Sequence, residues 1–264
     1  MRGTGTRAVR ASAVVLVAIL CMAGSAPAAA ILFVGNNVDP THSADPNVMA
    51  YLVGRYGAAA NLGDEGVFYK QASAAAAEDA DLVDAIVLSS TPSSNALRNK
   101  WEDATVGIVN WEEAVVDDSA GGEFFLAETI TKSNDTTAVD IVAAHPITAG
   151  LTGTVIFTTG GETFRSTAGL GAGVEVLAQN DAGNPVLFVA DVGAALLGDG
   201  TDGKPATAAG RRVMFGLMTD STFNSFTDDG KLLFGQAVDW AIPEPATLGL
   251  LALGGLGLLI RRRR

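Results

Sequence analysis

The chain has 264 residues and a formal net charge of −12, and its one cysteine, Cys21, lies in an apolar stretch near the start. Seven of its 17 Lys and Arg sit at the two ends, which leaves 10 against 28 Asp and Glu between Ile31 and Pro243. Such an acidic body repels phosphate backbones and anionic lipid heads, which excludes nucleic-acid binding, and a mature chain without cysteine excludes disulfides, thiolate metal sites and cysteine nucleophiles.

In chain order, residues 1–30 read as a secretory signal: Arg2, Arg7 and Arg10, then the apolar "ASAVVLVAILCMAG", then "SAPAAA". Ala28 and Ala30 fit a small-x-small site for signal peptidase, which places the mature start at Ile31. "ILFVG" has the short apolar run of a buried strand. In the next segment Asp45 is placed to N-cap a helix with Pro46 in its first turn, with Val48, Met49, Leu52, Val53 and Tyr56 on one face and Gly57 as its stop.

Further strands are expected at "GVFYK", "DAIVLSS" and "TVGIVNW", with a helix over "SSNALRNKWED" between the last two. Alternating strands and helices predict a doubly wound, mostly parallel sheet. Later runs, "VDIVA", "GTVIFTT", "VEVLA", "PVLFVA" and "RRVMFGL", make the second half strand-rich, with an antiparallel edge or added hairpin. "TDDGKLLFGQAVDWA" closes the domain as a helix whose core stripe is Leu232, Leu233, Ala237 and Trp240. Residues 31–242 are thus one α/β domain, and no linker or repeat divides them.

The tail is separate. Pro243-Glu244-Pro245 precedes a charge-free run from Ala246 to Ile260, and Arg261, Arg262, Arg263 and Arg264 end the chain. As a helix the run spans about 22 Å, short of a bilayer core of about 30 Å, so it is a weak anchor. The arginines would stay on the cytoplasmic side and leave the body outside. These three features in this order resemble the PEP-CTERM sorting signal of Gram-negative bacteria. The resemblance implies a transient transmembrane helix, cleavage by an exosortase-type membrane protease, and release to the cell surface or an exopolysaccharide matrix.

The body, through "ILFVG", "DAIVLSS", "VGIVNWEE", "HPITAG" and "RRVMFGL", resembles the flavodoxin-like fold of class I glutamine amidotransferase-like proteins. That family's chemistry needs a cysteine, so glutaminase activity is not implied here.

Ligands of such a sheet collect beyond the carboxyl ends of its strands. Those loops hold Asn36, Asn37 and Asp39, then Ser89, Ser90 and Thr91, then Asn110, Trp111, Glu112 and Glu113. The candidates for acid–base work are Asp39, Glu112 and His145, the last able to pair with Glu112 if the fold brings them together. His42 between Asp39 and Asp45 is a loose metal pattern, and Asp199 with Asp202 a loose calcium one; neither is a full ligand set, so no metal is assigned. With no nucleophile-elbow serine, P-loop or dinucleotide glycine motif, no cofactor is assigned either. The reading is an exported, non-catalytic binding or structural protein with extracellular polysaccharide as its candidate partner. The alternative is an exported hydrolase acting on a glycan or amide.

Overall fold

The computed structural model describes residues 29–116, 124–132, 137–201 and 203–243. The expected signal segment up to Ala28, the tail from Glu244 with its apolar run and arginines, and Asp202 lie outside these residues. Among the described residues no helix is long and apolar enough to cross a membrane.

The strands in chain order are β1 (Ala30–Gly35), β2 (Gly66–Gln71), β3 (Ala85–Leu88), β4 (Gly107–Asn110), β5 (Ala127–Lys132), β6 (Ala138–Ile141), β7 (Gly153–Ile156), β8 (Arg165–Leu170), β9 (Val174–Gln179), β10 (Pro185–Ala190) and β11 (Arg212–Phe215). Among the described residues two α-helices accompany them, α1 (Asp45–Tyr56) and α2 (Asp228–Ala241). Nine strands form one sheet in the order β2-β1-β3-β4-β11-β10-β9-β6-β7, and β5 pairs with β8 in a separate ribbon. The first five of that order run parallel, and from β10 outward every pairing is antiparallel. This is the mixed α/β sheet with a parallel centre and a strand-rich second half that the sequence predicts.

The central strands are buried throughout and mostly apolar, with Asn110 ending β4 and Arg212 opening β11, because both faces of the sheet are covered. Ile31 and Phe33 enter one hydrophobic cluster, and Leu32 and Val34 the other. Ala85 and Val87 alternate with Ile86 and Leu88, and Val213 and Phe215 with Met214, in the same two-residue period. A slip of one residue would exchange the faces of a strand, so packing fixes the register.

The winding departs from expectation. Both α-helices belong to one face, where Val48 and Leu52 of α1 and Leu233, Phe234, Ala237 and Val238 of α2 join the same cluster. The opposite face carries the β5–β8 ribbon and irregular chain. The helix expected over "SSNALRNKWED" is a single 3-10 turn, Ser94–Ala96, followed by Asn99 at φ 56°, a left-handed conformation that ends a helix. Backbone carbonyls freed there are taken by Arg212. Its Nη1 donates to Val106 (2.9 Å) and Arg211 (3.1 Å), and its Nη2 to Trp101 (3.4 Å), Glu102 (3.2 Å) and Ala104 (2.6 Å).

The helix ends also differ in detail. Ala44, not Asp45, occupies the N-cap of α1, while Gly57 ends it at φ 85° as expected. In α2, Thr227 caps the first turn by accepting from the Gly230 amide. Leu232 is 39% exposed, and Phe234 takes the core place assigned to it. β1 starts at Ala30 with Ala29 already buried, so the body begins before Ile31.

Candidate functional site

The strand order reverses direction at β1, with β2 on one side and β3 on the other, so the two connections that follow β1 and β3 diverge and open a crevice beyond their carboxyl ends. Asp45 sits there, in the first turn of α1 and 1% exposed. One carboxylate oxygen accepts from Ser89 Oγ (2.7 Å) and the other from Thr91 Oγ1 (2.8 Å), while the Thr91 amide donates to Ser89 Oγ (3.1 Å). Burial raises the Asp45 pKa, and the two hydroxyl donors work against it. Tyr69, near the end of β2, closes the cluster: its hydroxyl donates to the Asn37 carbonyl (3.0 Å), and burial followed by the Asp45 charge pushes its pKa up. A Cβ on Gly35 would strike both the Tyr69 hydroxyl and Asp45, so this packing requires glycine at the end of β1.

Beyond β4 lies Glu112, 7% exposed. Its loop is fastened by Asn110, which accepts from the Glu112 amide (3.1 Å) and donates to the Glu112 carbonyl (2.9 Å). Burial, then the charge of Glu113, raises the Glu112 pKa to about 8, opposed by the Ala114 amide; Asp220 adds to the rise and Arg165 counters it. At neutral pH that shift favours the neutral, protonated form of the buried carboxyl. Glu113 is bound to Arg165 at 2.8 Å, and Asp220, beyond β11, accepts from Ser90 Oγ (2.8 Å).

The three acid–base candidates do not converge. Asp39 and Glu112 both follow carboxyl ends, Asp39 on exposed chain and Glu112 buried. His145 lies at the opposite end of the sheet: its ring meets Trp240 near the end of α2 (centroids 5.1 Å apart), and Arg211, just before β11, acts on its charge. There its Nδ1 accepts from the Ile147 amide (3.2 Å), and burial lowers its pKa. The expected pairing of His145 with Glu112 is therefore not made. The shallow cavity that His145 lines, about 290 Å³ with Ala143, Thr148 and Leu151, includes neither carboxylate.

Among the described residues no group of three His, Cys, Asp or Glu is placed to hold a metal ion. Asp45 is occupied by its hydroxyl donors, and Asp199 accepts from Thr201 N (3.0 Å) and Oγ1 (2.6 Å) within a tight turn.

Sequence reasoning assigned Asp45 to capping and missed Tyr69, Asp220 and Arg165. Tyr69 and Asp220 follow from applying the carboxyl-end rule to "GVFYK" and "RRVMFGL". Arg165 had no signal, because β8 belongs to the long excursion between β4 and β11.

Residues 241–264 match the PEP-CTERM protein-sorting motif. Among curated proteins none matches the chain. Among solved structures the chain is similar to a ThuA-like protein from Bacteroides uniformis, with 14% identity and a TM-score of 0.52, over 82% of this chain and 92% of that one. A likeness at that identity concerns the fold alone, and it fits the flavodoxin-like strand order β2-β1-β3-β4-β11.

Proposed function

We propose that this chain is an exported surface or matrix protein whose α/β body, amidotransferase-like in form, has a binding or structural role rather than a catalytic one. The observation that carries the first part is the sorting motif at residues 241–264, which implies export and recognition by an exosortase. The second part draws support from the separation of His145 from Glu112 and from Asp45, whose oxygens are already engaged. A neutral Glu112 carboxyl beyond the strand ends suits a neutral, hydroxyl-rich ligand such as an extracellular glycan, which the acidic body does not repel. Removal of the tail frees the body from the membrane.

The N-terminal signal belongs to the same reading, with its cut moved. The Ala29 carbonyl accepts from the Gly66 amide (2.8 Å), and the Ala30 amide donates to Asp84 Oδ2 (2.8 Å). A cut after Ala30 would discard both bonds and leave an ammonium on Ile31, which is buried. A cut after Ala28, with Ala26 as the other small residue, keeps them.

Mass spectrometry of the protein recovered outside cells, with and without the exosortase, tests this reading. The expected product begins at Ala29 and ends near Pro243, and it disappears without the protease. Replacing Glu244 or deleting Arg261 to Arg264 traps the chain at the inner membrane. Full-length protein outside the cell, with Arg264 attached, overturns the reading.

The hydrolase reading retains one supporting observation, the raised pKa of Glu112, which suits a general acid. With His145 elsewhere, Asp220 would have to be its partner. Glycan or amide turnover lost in both Glu112→Gln and Asp220→Asn would favour it.

A further inference from the structure

Both ends of the body leave it from one edge. β1 begins at Ala30, which exchanges hydrogen bonds with Asp84 at the threshold of β3: the Ala30 amide to Asp84 Oδ2 (2.8 Å) and the Asp84 amide to the Ala30 carbonyl (2.7 Å). β3 pairs with β4 from Ala85 opposite Gly107, and a Cβ on Gly107 would strike the carbonyl of Ala241, the last residue of α2. Arg211, leading into β11, donates to the Trp240 carbonyl (2.7 Å). The parallel strands all start on this edge. Asp45, Ser89, Glu112 and Asp220 belong to the other.

No linker separates the body from its tail. Ile242 is 5% exposed, and the next residue, Pro243, opens the Pro-Glu-Pro triplet. From Ile242 to Ala246, where the charge-free run starts, the chain reaches at most about 14 Å when fully extended. A body of this size has a radius of gyration of about 17 Å. On so short a tether it cannot turn its far edge toward the membrane.

We propose that, before cleavage, the amino edge of the sheet is the face held against the exosortase-type protease, and that the carboxyl-edge crevice points outward. The proposal rests on the sorting reading above and adds the surface and orientation used. A protein partner fits this edge better than a lipid surface does. Two of its cations are paired, Arg55 with Asp239 and Arg211 with Asp191, which lessens what they offer to anionic headgroups. A shallow hollow of about 210 Å³, lined by Pro146, Arg211, Gln236, Trp240 and Ile242, borders the point where the tail leaves and gives a protein loop a place to seat.

The test uses the full-length chain in cells whose exosortase is catalytically inactive, with a photo-cross-linking residue introduced at one position at a time. Asp103 and Asp191 sample the amino edge, and Asp39 and Asn224 the carboxyl edge; all four are exposed. Cross-links to the exosortase are expected to be at least fivefold more abundant from Asp103 and Asp191. Equal yields from the two edges, or amino-edge adducts to lipid alone, overturn the proposal.

A second variant carries 20 Gly/Ser residues between Ile242 and Pro243, enough for a root-mean-square reach of about 25 Å. It should erase the bias between edges while active exosortase still cuts the chain. Persistence of the bias with the linker would support the amino edge as the docking face and overturn the short tether as what orients it. If active exosortase cuts neither the parent nor the linker variant, the sorting reading itself fails; if both are cut and no bias exists, only the orientation fails.

Discussion

Arg212 is 2% exposed, has no carboxylate within ion-pair distance among the described residues, and sits over the Phe124 ring at 5.6 Å. Burial lowers its pKa to about 10, so it is charged at neutral pH. Arg212→Met removes donors from five carbonyls. Two of them keep a backbone partner, Trp101 from the Ala104 amide and Arg211 from the Ile108 amide. The carbonyls of Glu102, Ala104 and Val106 depend on the guanidinium. These three bonds are only part-buried, so at about 0.5 to 1.5 kcal/mol for each one lost, less the desolvation recovered by removing a charge, the net loss is about 1 to 3 kcal/mol. Chemical denaturation of the purified protein measures it. Because those carbonyls lie on irregular chain, the damage should also be local, and trypsin should cut after Arg98 or Lys100 at least tenfold faster than in the parent. An unfolding free energy within about 0.5 kcal/mol of the parent, with trypsin resistance intact, would refute the assignment of Arg212 as the clasp of this face.

Glu112→Gln removes a titration. Between the ordinary carboxyl range near 4.5 and the folded value of about 8, the unfolded chain gives up a proton that the folded chain keeps, so rising pH favours unfolding. The parent should therefore lose up to about 4 kcal/mol across that window, and the variant should lose markedly less, as denaturation at pH 5, 7 and 8.5 will show. Ser89→Ala with Thr91→Val strips both donors from the Asp45 carboxylate. The cost at pH 7 should be about 2 to 4 kcal/mol, shrinking as pH falls and Asp45 becomes protonated. Gly107→Ala drives a methyl against the Ala241 carbonyl, and a cost of about 2 kcal/mol should lower the melting midpoint by about 4 to 8 °C.

The parallel centre was legible because strands covered on both faces are uninterrupted apolar runs: "ILFVG", "DAIVLSS" and "RRVMFGL" need no context to be recognised. β5 and β8 were not, since "AETITK" and "RSTAGL" carry little apolar signal and gain their place by pairing with each other and packing on the sheet. The false helix at "SSNALRNKWED" came from local propensity; the chain instead breaks at Asn99 in a left-handed conformation, and Arg212, more than a hundred residues away, holds the carbonyls of Trp101, Glu102 and Ala104 that follow. At the site, the carboxyl-end rule located Ser89, Thr91 and Glu112 correctly. It could not say that Asp45 turns inward, because capping and burial make the same demand on an acidic residue before a helix. His145 is recognisable in sequence as a titratable residue, but its partner is set by which end of the sheet its loop joins.

The excursion between β4 and β11 governs when the domain can close. β11 completes the parallel sheet only after some hundred residues have followed β4, and α2, whose Leu233, Phe234 and Val238 seal one face, comes directly before the tail. In a chain threaded across a membrane from its N-terminus, these elements emerge last. With α2 still to come, α1 alone covers its face of the sheet, so connectivity ties completion of the fold to the emergence of the last stretch ahead of Pro243, where the sorting motif begins.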